Sequence, residues 1–257
     1  MTDELFDLTG KVALVTGGTS GIGRMIATGF VRRGVRTYIT GRDLGAATAV
    51  AEELAADGDC RALAADLADP EAPARLVADL AAREDRLHIL VNNAGAAKTE
   101  SLAQSAPADW DEVLGVNVRA PFFLVREALP LLRAAATAED PARIISIGSI
   151  GGLHVPNWEA HAYGASKAAL HHLTRSLAKK LGREAITVNA IAPGPFPSRI
   201  TKTESEAVQA SVKTYIPLER PGQAEDVQGV TVFLSSRAGA YVNGATIPLE
   251  GGYLAAL

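Results

Sequence analysis

The fold of this chain is decided by one stretch, Thr16-Gly17-Gly18-Thr19-Ser20-Gly21-Ile22-Gly23. It follows an apolar run at 12–15, typical of a buried strand, and precedes a helical pattern at 25–33. A glycine turn between a strand and a helix directs backbone N–H groups and the positive helix end at one point. The spacing T-G-x-x-x-G-x-G differs from the usual G-x-G-x-x-G fingerprint. We expect this turn to hold a dinucleotide pyrophosphate; the alternative is a tight turn without a ligand.

The composition is that of an ordinary globular protein. The chain has 257 residues, of which 47% are hydrophobic and 21% charged, and a single α/β domain of this size is common. The net charge of −4 gives no electrostatic footprint for nucleic acid, so we expect no nucleic-acid partner. Because Cys60 is the single cysteine, an internal disulfide is impossible.

The sequence also bears on location. No apolar run approaches the ~20 residues needed to span a bilayer, so we expect no membrane insertion. The first residues, Met1-Thr2-Asp3-Glu4, lack the basic start of a signal peptide. We expect a cytoplasmic protein.

Short apolar runs alternate with helical patterns along the chain. Strands are predicted at 11–16, 35–40, 61–65, 87–91, 143–147, 186–191 and 246–249. Helices are predicted at 21–33, 44–56, 70–83, 107–135, 160–181 and 225–235, with Asp69 and Pro70 at the third helix start and Pro121 and Pro130 bending the fourth. Alternation of nearly all-apolar strands with helices predicts a doubly wound, Rossmann-like parallel sheet of about seven strands, covered by helices on both faces.

We expect a single domain over 1–257, because no composition shift marks a boundary. The least regular region, 193–221, has proline and glycine at both ends and a weakly amphipathic centre. It predicts a lid at about 195–216 over the ligand crevice. The alternative is a plain surface excursion.

In an open parallel sheet, ligands bind beyond the carboxyl ends of the strands. Glycines or polar residues follow every one of the first six predicted strands, at 16–23, 41–42, 66–67, 92–95, 149–151 and 193–194. This coincidence is a stronger indication of a ligand site than any single motif.

Tyr163 and Lys167 lie at i and i+4, on one face of a predicted helix. An ammonium group beside a phenol lowers the phenol pKa, which suits proton transfer in an alcohol–carbonyl interconversion. Ser149, just past the fifth strand, could hydrogen-bond the substrate oxygen. Ser146 is an alternative, which we expect to be packed within the strand. By itself, Y-x-x-x-K is also typical of a helix start with a solvated lysine.

Taken together, these motifs resemble the short-chain dehydrogenase/reductases of the short, single-domain type. The resemblance covers nearly the whole chain and includes the turn Thr16-Gly17-x-x-x-Gly21-x-Gly23, Asn92-Asn93-Ala94-Gly95, Asn117, Ser149, Tyr163, Lys167 and Pro193-Gly194. It implies that Tyr163 exchanges a proton with the substrate oxygen and that Ser149 polarises this oxygen. It further implies that Lys167 lowers the Tyr163 pKa and holds the nicotinamide ribose, and that Asn117 supports a water-linked proton path.

The resemblance also implies a cofactor site. Its predicted residues are Gly17, Thr19, Ser20, Gly21, Ile22, Gly23, Arg42, Asp66, Leu67, Asn93, Ala94, Gly95, Tyr163, Lys167, Pro193, Gly194, Phe196 and Ser198. Asp66 is expected at the adenine and Asn93 as a brace; alone, each is equally typical of a turn. Ser198 stands where the family often has a threonine.

The residues after the second strand favour NADP(H). No acid occupies the position that binds a ribose 2′-hydroxyl, and Arg42 can pair with a 2′-phosphate. Asp43 is expected to begin the next helix. The second site at which NADP-binding relatives often carry a base holds Ser20. The alternative for Arg42 is a solvated residue at a helix start.

Other residues are less informative. The five histidines, at 88, 154, 161, 171 and 172, form no credible ligand set, so we expect no catalytic metal. Trp158, Phe196 and Tyr215 either line an apolar substrate pocket or simply pack. By resemblance, the apolar C-terminal residues 253–257 and the last helix pack in a homotetramer.

The stretches 162–180 and 191–199 look especially similar to bacterial β-ketoacyl reductases, including the kind linked to rhamnolipid or polyketide supply. The resemblance implies an NADP(H)-dependent enzyme that reduces a ketone, first of all a 3-oxoacyl thioester. The alternatives are an NAD(P)-dependent dehydrogenase of a steroid, sugar or other secondary alcohol, and a cofactor-binding regulator without turnover.

Overall fold

The protein folds around one seven-stranded sheet, described here from a computed structural model for residues 4–99, 101–155, 158–198, 203 and 205–256. The strand order is β3-β2-β1-β4-β5-β6-β7 and every neighbouring pair is parallel. The strands are β1 Val12–Val15, β2 Arg36–Gly41, β3 Cys60–Ala64, β4 Ile89–Asn92, β5 Ala142–Ile147, β6 Ile186–Pro193 and β7 Thr246–Leu249. The predicted fold class is confirmed.

Helices cover both faces of the sheet. They are α1 Gly21–Val31, α2 Leu44–Ala55, α3 Ala72–Ala81, α4 Pro107–Leu114, α5 Ala120–Ala135, α6 His161–Leu181, α7 Glu206–Tyr215 and α8 Ala224–Ser235. Side chains of α3, α5 and α6 form one buried cluster with alternate strand residues such as Leu14 and Leu90. Side chains of α1 and α8 form another with Val15 and Val91. Because both faces are covered, strands β1, β4, β5 and β6 are buried along their whole length.

The third helix begins later than the sequence pattern predicts. It starts at Ala72 rather than at residue 70, and Pro73 lies in its first turn. The carboxylate of Asp69 accepts the backbone N–H of Glu71, so Asp69 and Pro70 form a turn ahead of the helix. Pro70 and Pro73 both suit a helix start. Pro70 lies in the turn after Asp69, and Pro73 lies in the first turn of α3.

The predicted helix at 107–135 is two α-helices joined by a π-helical segment, Gly115–Arg119. Pro121 lies in the first turn of α5, where its missing N–H has no helical partner to lose. Pro130 lies inside α5. The interruption therefore falls at Asn117, not at either proline.

The irregular region 193–221 contains the helix α7, whose Ser205 accepts the backbone N–H of Val208 at the N-terminus. Residues 199–202 and 204 of the predicted lid lie outside the described residues. Within the described part of the chain, no helix is both long enough and apolar enough to cross a membrane.

Candidate active site

The glycine turn is tied to the end of strand β4. The side-chain amide of Asn93 donates to Thr16 O at 2.8 Å and to Gly17 O at 3.1 Å. In return, the Thr16 hydroxyl accepts the backbone N–H groups of Asn93 and Ala94, each at 3.0 Å. These four hydrogen bonds fix the turn against its neighbouring strand end.

The turn has no room for side chains at its glycines. A Cβ at position 23 would lie 2.3 Å from Asn93 Nδ2 and 2.4 Å from Gly17 O. Gly17 and Gly21 have φ values of +64° and +53°, in the region that favours glycine. A Cβ on Gly21 would lie 3.1 Å from Ser198 Cβ, which brings the 193–198 segment over the turn.

The N-terminus of α1, directly after this turn, lacks a side-chain cap. Ser20 occupies the capping position without making a capping hydrogen bond. By contrast, Asp43 caps α2, as the sequence predicts, and Ser205 caps α7. The first N–H groups of a helix have no partner within the helix, so those of α1 are available to an anion.

Asn117 is buried in the π-helical segment and joins two parts of the site. Its Oδ1 accepts the Ala96 N–H at 2.8 Å, and its Nδ2 donates to Ala96 O and to the Ser166 hydroxyl, both at 2.9 Å. The Ser166 hydroxyl in turn donates to Tyr163 O at 2.7 Å. Asn117 thereby connects the segment after β4 to the start of α6; its water-linked proton path stays a prediction.

The hydroxyls of Ser149 and Tyr163 are brought together. Tyr163 is half-buried in the first turn of α6, and burial raises its pKa, while a hydrogen bond with Ser149 lowers it. The Ser149 Oγ also accepts the Gly151 N–H at 3.0 Å, which holds the serine at the start of a short 3₁₀ turn. Ser146 is buried within β5, as we expect for the alternative serine.

Lys167 lies one helical turn after Tyr163 and is buried. Its Nζ lies 5.5 Å from the centre of the Tyr163 ring and donates to Ile147 O at 2.8 Å. Burial lowers the pKa of Lys167 to about 8. A Cβ on Gly95 would lie 3.7 Å from Lys167 Nζ and 3.3 Å from Asn117 Oδ1, so Gly95 borders both side chains. The lowering of the Tyr163 pKa by Lys167 stays a prediction.

Two predicted cofactor residues, Arg42 and Asp66, lie just after strands β2 and β3. Arg42 follows β2 and is exposed, without a hydrogen bond or ion pair to any described residue. Asp66 follows β3, is exposed, and accepts the Ala68 N–H at 3.2 Å. A guanidinium without a protein partner beside a glycine turn can receive a phosphate.

The side chains of Phe196 and Leu67 face the core. Phe196 is 3% exposed, and a Cβ on Gly222 would lie 2.1 Å from its ring. The close approach of Gly222 encloses the ring within the core, and a substrate-lining role for Phe196 stays a prediction. Leu67 packs into the core beneath α3. A cofactor contact from either residue would come from its backbone.

The other two aromatic residues lie elsewhere. The ring of Trp158 is 5.8 Å from that of Tyr163 and is 42% exposed. Tyr215, on α7, is 6.2 Å from the ring of Tyr253, whose hydroxyl lies 3.2 Å from His154 Nε2. Of the three aromatic residues considered, Trp158 is therefore the one beside the Tyr163 ring.

The remaining predicted residues surround the same strand ends. Pro193 ends β6, and Gly194 donates to Leu249 O of the neighbouring strand at 2.9 Å. Gly194 has no room for a side chain, since its Cβ would lie 2.9 Å from that of Glu250. The methyl group of Thr19 faces Gly41, and Ile22 packs on the core.

The sequence motifs assign no role of their own to three polar residues that build this site: Thr16, Thr40 and Ser166. The Thr40 hydroxyl accepts the Gly17 N–H at 3.2 Å, while Thr16 and Ser166 make the contacts given above. Thr16 opens the glycine motif and Ser166 directly precedes Lys167. Their positions beside predicted site residues could therefore have indicated a role in the site. Nothing in the local pattern singles out Thr40.

Comparisons with known proteins agree with this architecture. The sequence model of the family described as enoyl-(acyl carrier protein) reductase matches residues 17–254. A rhamnolipid-biosynthesis 3-oxoacyl-[acyl-carrier-protein] reductase from Pseudomonas aeruginosa is 45% identical over 96% of this chain and 98% of its own.

Two solved structures are also similar. The RhlG/NADP active-site complex of Pseudomonas aeruginosa is 43% identical, with a TM-score of 0.95 over 98% of this chain and 99% of the other. A short-chain dehydrogenase from Burkholderia cenocepacia in complex with NADP is 34% identical, with a TM-score of 0.89 over 96% and 99% of the two chains. The family expected from the sequence motifs is confirmed: the chain belongs to the short-chain dehydrogenase/reductases, a family of oxidoreductases.

Proposed function

We propose that this protein is an NADPH-dependent reductase that converts a 3-oxoacyl thioester to the 3-hydroxyacyl thioester. The observation that carries the proposal is the approach of the Ser149 hydroxyl to the Tyr163 phenol, close enough to lower the phenol pKa, with the Lys167 ammonium 5.5 Å from the centre of the same ring. A proton donor, a polarising hydroxyl and a positive charge meet there at the carboxyl edge of the sheet. This arrangement is suited to the protonation of a carbonyl oxygen as it gains charge.

The residues present fit a dinucleotide. Gly17, Gly21 and Gly23 form a turn that side chains would fill, and the uncapped N-terminus of α1 follows it. These groups would hold the pyrophosphate. Arg42 would pair with the 2′-phosphate, Asp66 would contact the adenine, and Lys167 would bind the nicotinamide ribose. When bound, NADPH supplies the hydride that reduces the carbonyl carbon.

The protein's own side chains supply the proton that the substrate oxygen receives. Tyr163 donates its hydroxyl proton to the substrate oxygen, and Ser149 donates a hydrogen bond to the same oxygen. Since burial raises the pKa of Tyr163, the phenol is protonated and ready to donate at neutral pH. The positive charge of Lys167 stabilises the phenolate left behind.

The substrate class is supported by two observations. The Pseudomonas aeruginosa relative named above is a 3-oxoacyl-[acyl-carrier-protein] reductase. In addition, Leu153, Val155 and Trp158, between Ser149 and Tyr163, are exposed apolar side chains. Such side chains suit an acyl chain better than a sugar. Within the lid predicted at about 195–216, we propose that α7 covers the bound acyl chain.

The experiment is a substrate panel assayed by NADPH consumption. It compares 3-oxoacyl thioesters of increasing chain length with a steroid ketone and a keto-sugar. The proposal expects the highest kcat/KM for a 3-oxoacyl thioester. Preferential turnover of the steroid or sugar would contradict the substrate class, and binding of NADPH without any turnover would favour the regulator.

We further propose a cytoplasmic homotetramer. The family resemblance supports the assembly, and the relative's acyl-carrier-protein substrate is consistent with the location. Light scattering of the purified protein tests the assembly by mass, with four times the 26.8 kDa chain expected; a monomer would contradict it.

A further inference from the structure

His171 lies directly behind residues 148–152, the serine segment that carries Ser149. It has no part in the chemistry described so far. It is 2% exposed and sits in the middle of α6. Tyr163, Lys167 and His171 follow one another at intervals of four residues, which places them along one face of the helix. His172, the next residue, is exposed.

All three side chains contact the end of β5 or the short segment that follows it. The Tyr163 phenol lies close enough to the Ser149 hydroxyl for this neighbour to lower its pKa, and Lys167 donates to Ile147 O. The Nε2 of His171 accepts the backbone N–H of Ser149 in a long hydrogen bond of 3.5 Å. One helix face thus contacts the end of β5 and the serine segment at three successive points.

Gly148 and Gly152 flank this contact, and both lie against the imidazole of His171. A Cβ on Gly148 would lie 2.0 Å from His171 Nε2 and 2.7 Å from its Cδ2. A Cβ on Gly152 would lie 2.7 Å from the α6 backbone at Lys167 and Ala168, and 2.9 Å from His171 Cε1. Neither glycine has a positive φ, so the backbone conformation does not require glycine at these positions. The imidazole occupies the space that a side chain at 148 would need.

The ring is held in the form that can accept a hydrogen bond. Burial lowers the pKa of His171 to about 4, and the positive charges of Lys167 and Arg175 act in the same direction. A neutral imidazole with its proton on Nδ1 presents a lone pair at Nε2. Nδ1 makes no hydrogen bond within the described residues, while the contact of the ring with the Gly152 backbone opposes part of the lowering of the pKa.

We propose that His171 is a positioning residue that sets the height of the Ser149 segment above α6 and so fixes the Ser149 hydroxyl at hydrogen-bonding distance from Tyr163. An apolar side chain of similar size would fill the space but would leave the Ser149 N–H without its acceptor. A shift of the segment by about 1 Å is enough to lower turnover substantially. The inference rests on the proposed reductase function.

The first test compares two substitutions at this position with a neighbouring control. His171→Leu keeps bulk without an acceptor, whereas His171→Gln places a carbonyl oxygen the same number of bonds from Cβ as Nε2. The control, His172→Gln, changes the exposed neighbour. We expect His171→Leu to lower kcat about tenfold or more, with the Kd for NADPH changed less than twofold. His171→Gln should recover most of this loss, and His172→Gln should match the wild type.

A purely structural role would give a different result. It would lower the Tm of His171→Leu while kcat of the folded enzyme stayed within twofold of the wild type. Equal kcat values for the Leu and Gln variants would likewise overturn the proposal. Absence of turnover by the wild-type enzyme on every 3-oxoacyl thioester would instead overturn the proposed function, which separates the two failures.

The second test needs no turnover. Gly148→Ala is made in the wild type and in His171→Ala, and the Tm of each ligand-free variant is measured. The added methyl group meets the imidazole, so we expect a large loss of Tm in the wild type and a much smaller one in the His171→Ala background. Equal losses in both backgrounds would show that the imidazole does not support the segment, and would overturn the proposal.

Discussion

The Nζ of Lys167 donates to the backbone carbonyl of Ile147 at 2.8 Å. This contact joins the helix that carries Tyr163 to the end of β5, two residues before Ser149. It also places a charged group where burial disfavours the charge, since the pKa of Lys167 is lowered to about 8. The site therefore has a measurable effect on stability as well as on catalysis.

Lys167→Met should change how stability depends on pH. Between pH 8 and 10.5 the unfolded chain holds the Lys167 proton and the folded chain releases it, so this group makes stability rise with pH in that window. Methionine removes the contribution. We expect the Tm of Lys167→Met, relative to the wild type, to be more favourable at pH 7 than at pH 9.5 by about 5 °C. Calorimetry at the two pH values measures this difference, and an equal difference at both would contradict a buried, weakly basic lysine.

The same group should shape the activity profile. We expect the positive charge of Lys167 to stabilise the Tyr163 phenolate, so kcat/KM for ketone reduction should fall as pH rises through about 8. Initial rates at saturating NADPH from pH 6 to 9.5 test this. A rate that rises through the same range would mean that the charged lysine does not assist the proton transfer.

Gly23→Ala should disrupt the glycine turn. Its Cβ would lie 2.3 Å from the Asn93 amide that braces the turn, and overpacking of this kind costs about 1–3 kcal/mol. We expect a lower Tm and a Kd for NADPH raised at least tenfold, measured by thermal unfolding and cofactor fluorescence.

Gly229→Ala is the matched control. Gly229 lies exposed within α8, and a Cβ there would meet no atom within 4 Å. The same substitution should leave the Kd unchanged and raise stability by about 0.5–1 kcal/mol. Similar losses of NADPH affinity in both variants would remove the evidence for a glycine-specific cradle.

Arg42→Ala should alter cofactor preference. The guanidinium has no partner among the described residues, so its removal costs the free protein little. Loss of a charge-assisted contact to a 2′-phosphate should raise the Kd for NADPH by about tenfold or more and leave that for NADH within twofold. If the two Kd values change equally, Arg42 does not select the phosphate.

Much of the molecule could be predicted from the chain because the signals are local. Glycines 17, 21 and 23 mark a turn that requires them, and apolar runs of four to eight residues mark strands buried on both faces. The i, i+4 spacing of Tyr163 and Lys167 places both on one side of a helix. The sequence also predicts that Asp43 begins α2, and its side chain caps that helix.

Other features depend on distant contacts and left no local signal. The π-helical segment at Gly115–Arg119 accompanies the hydrogen bonds of Asn117 to Ala96 and Ser166, which lie 21 and 49 residues away in sequence. Phe196 is buried because Gly222 lets its ring approach. The sequence equally did not distinguish His171 from His172, although one is buried and the other exposed.

We propose that Tyr163 donates the proton to the substrate oxygen. Tyr163→Phe keeps the ring beside Trp158 and removes only the hydroxyl, so the fold should be unaffected and the predicted NADPH site should lose at most one contact. With the best 3-oxoacyl thioester and saturating NADPH, we expect kcat to fall by about 10²–10⁴ while the Kd for NADPH stays within twofold of the wild type. A Tyr163→Phe enzyme that retains wild-type kcat would contradict the account.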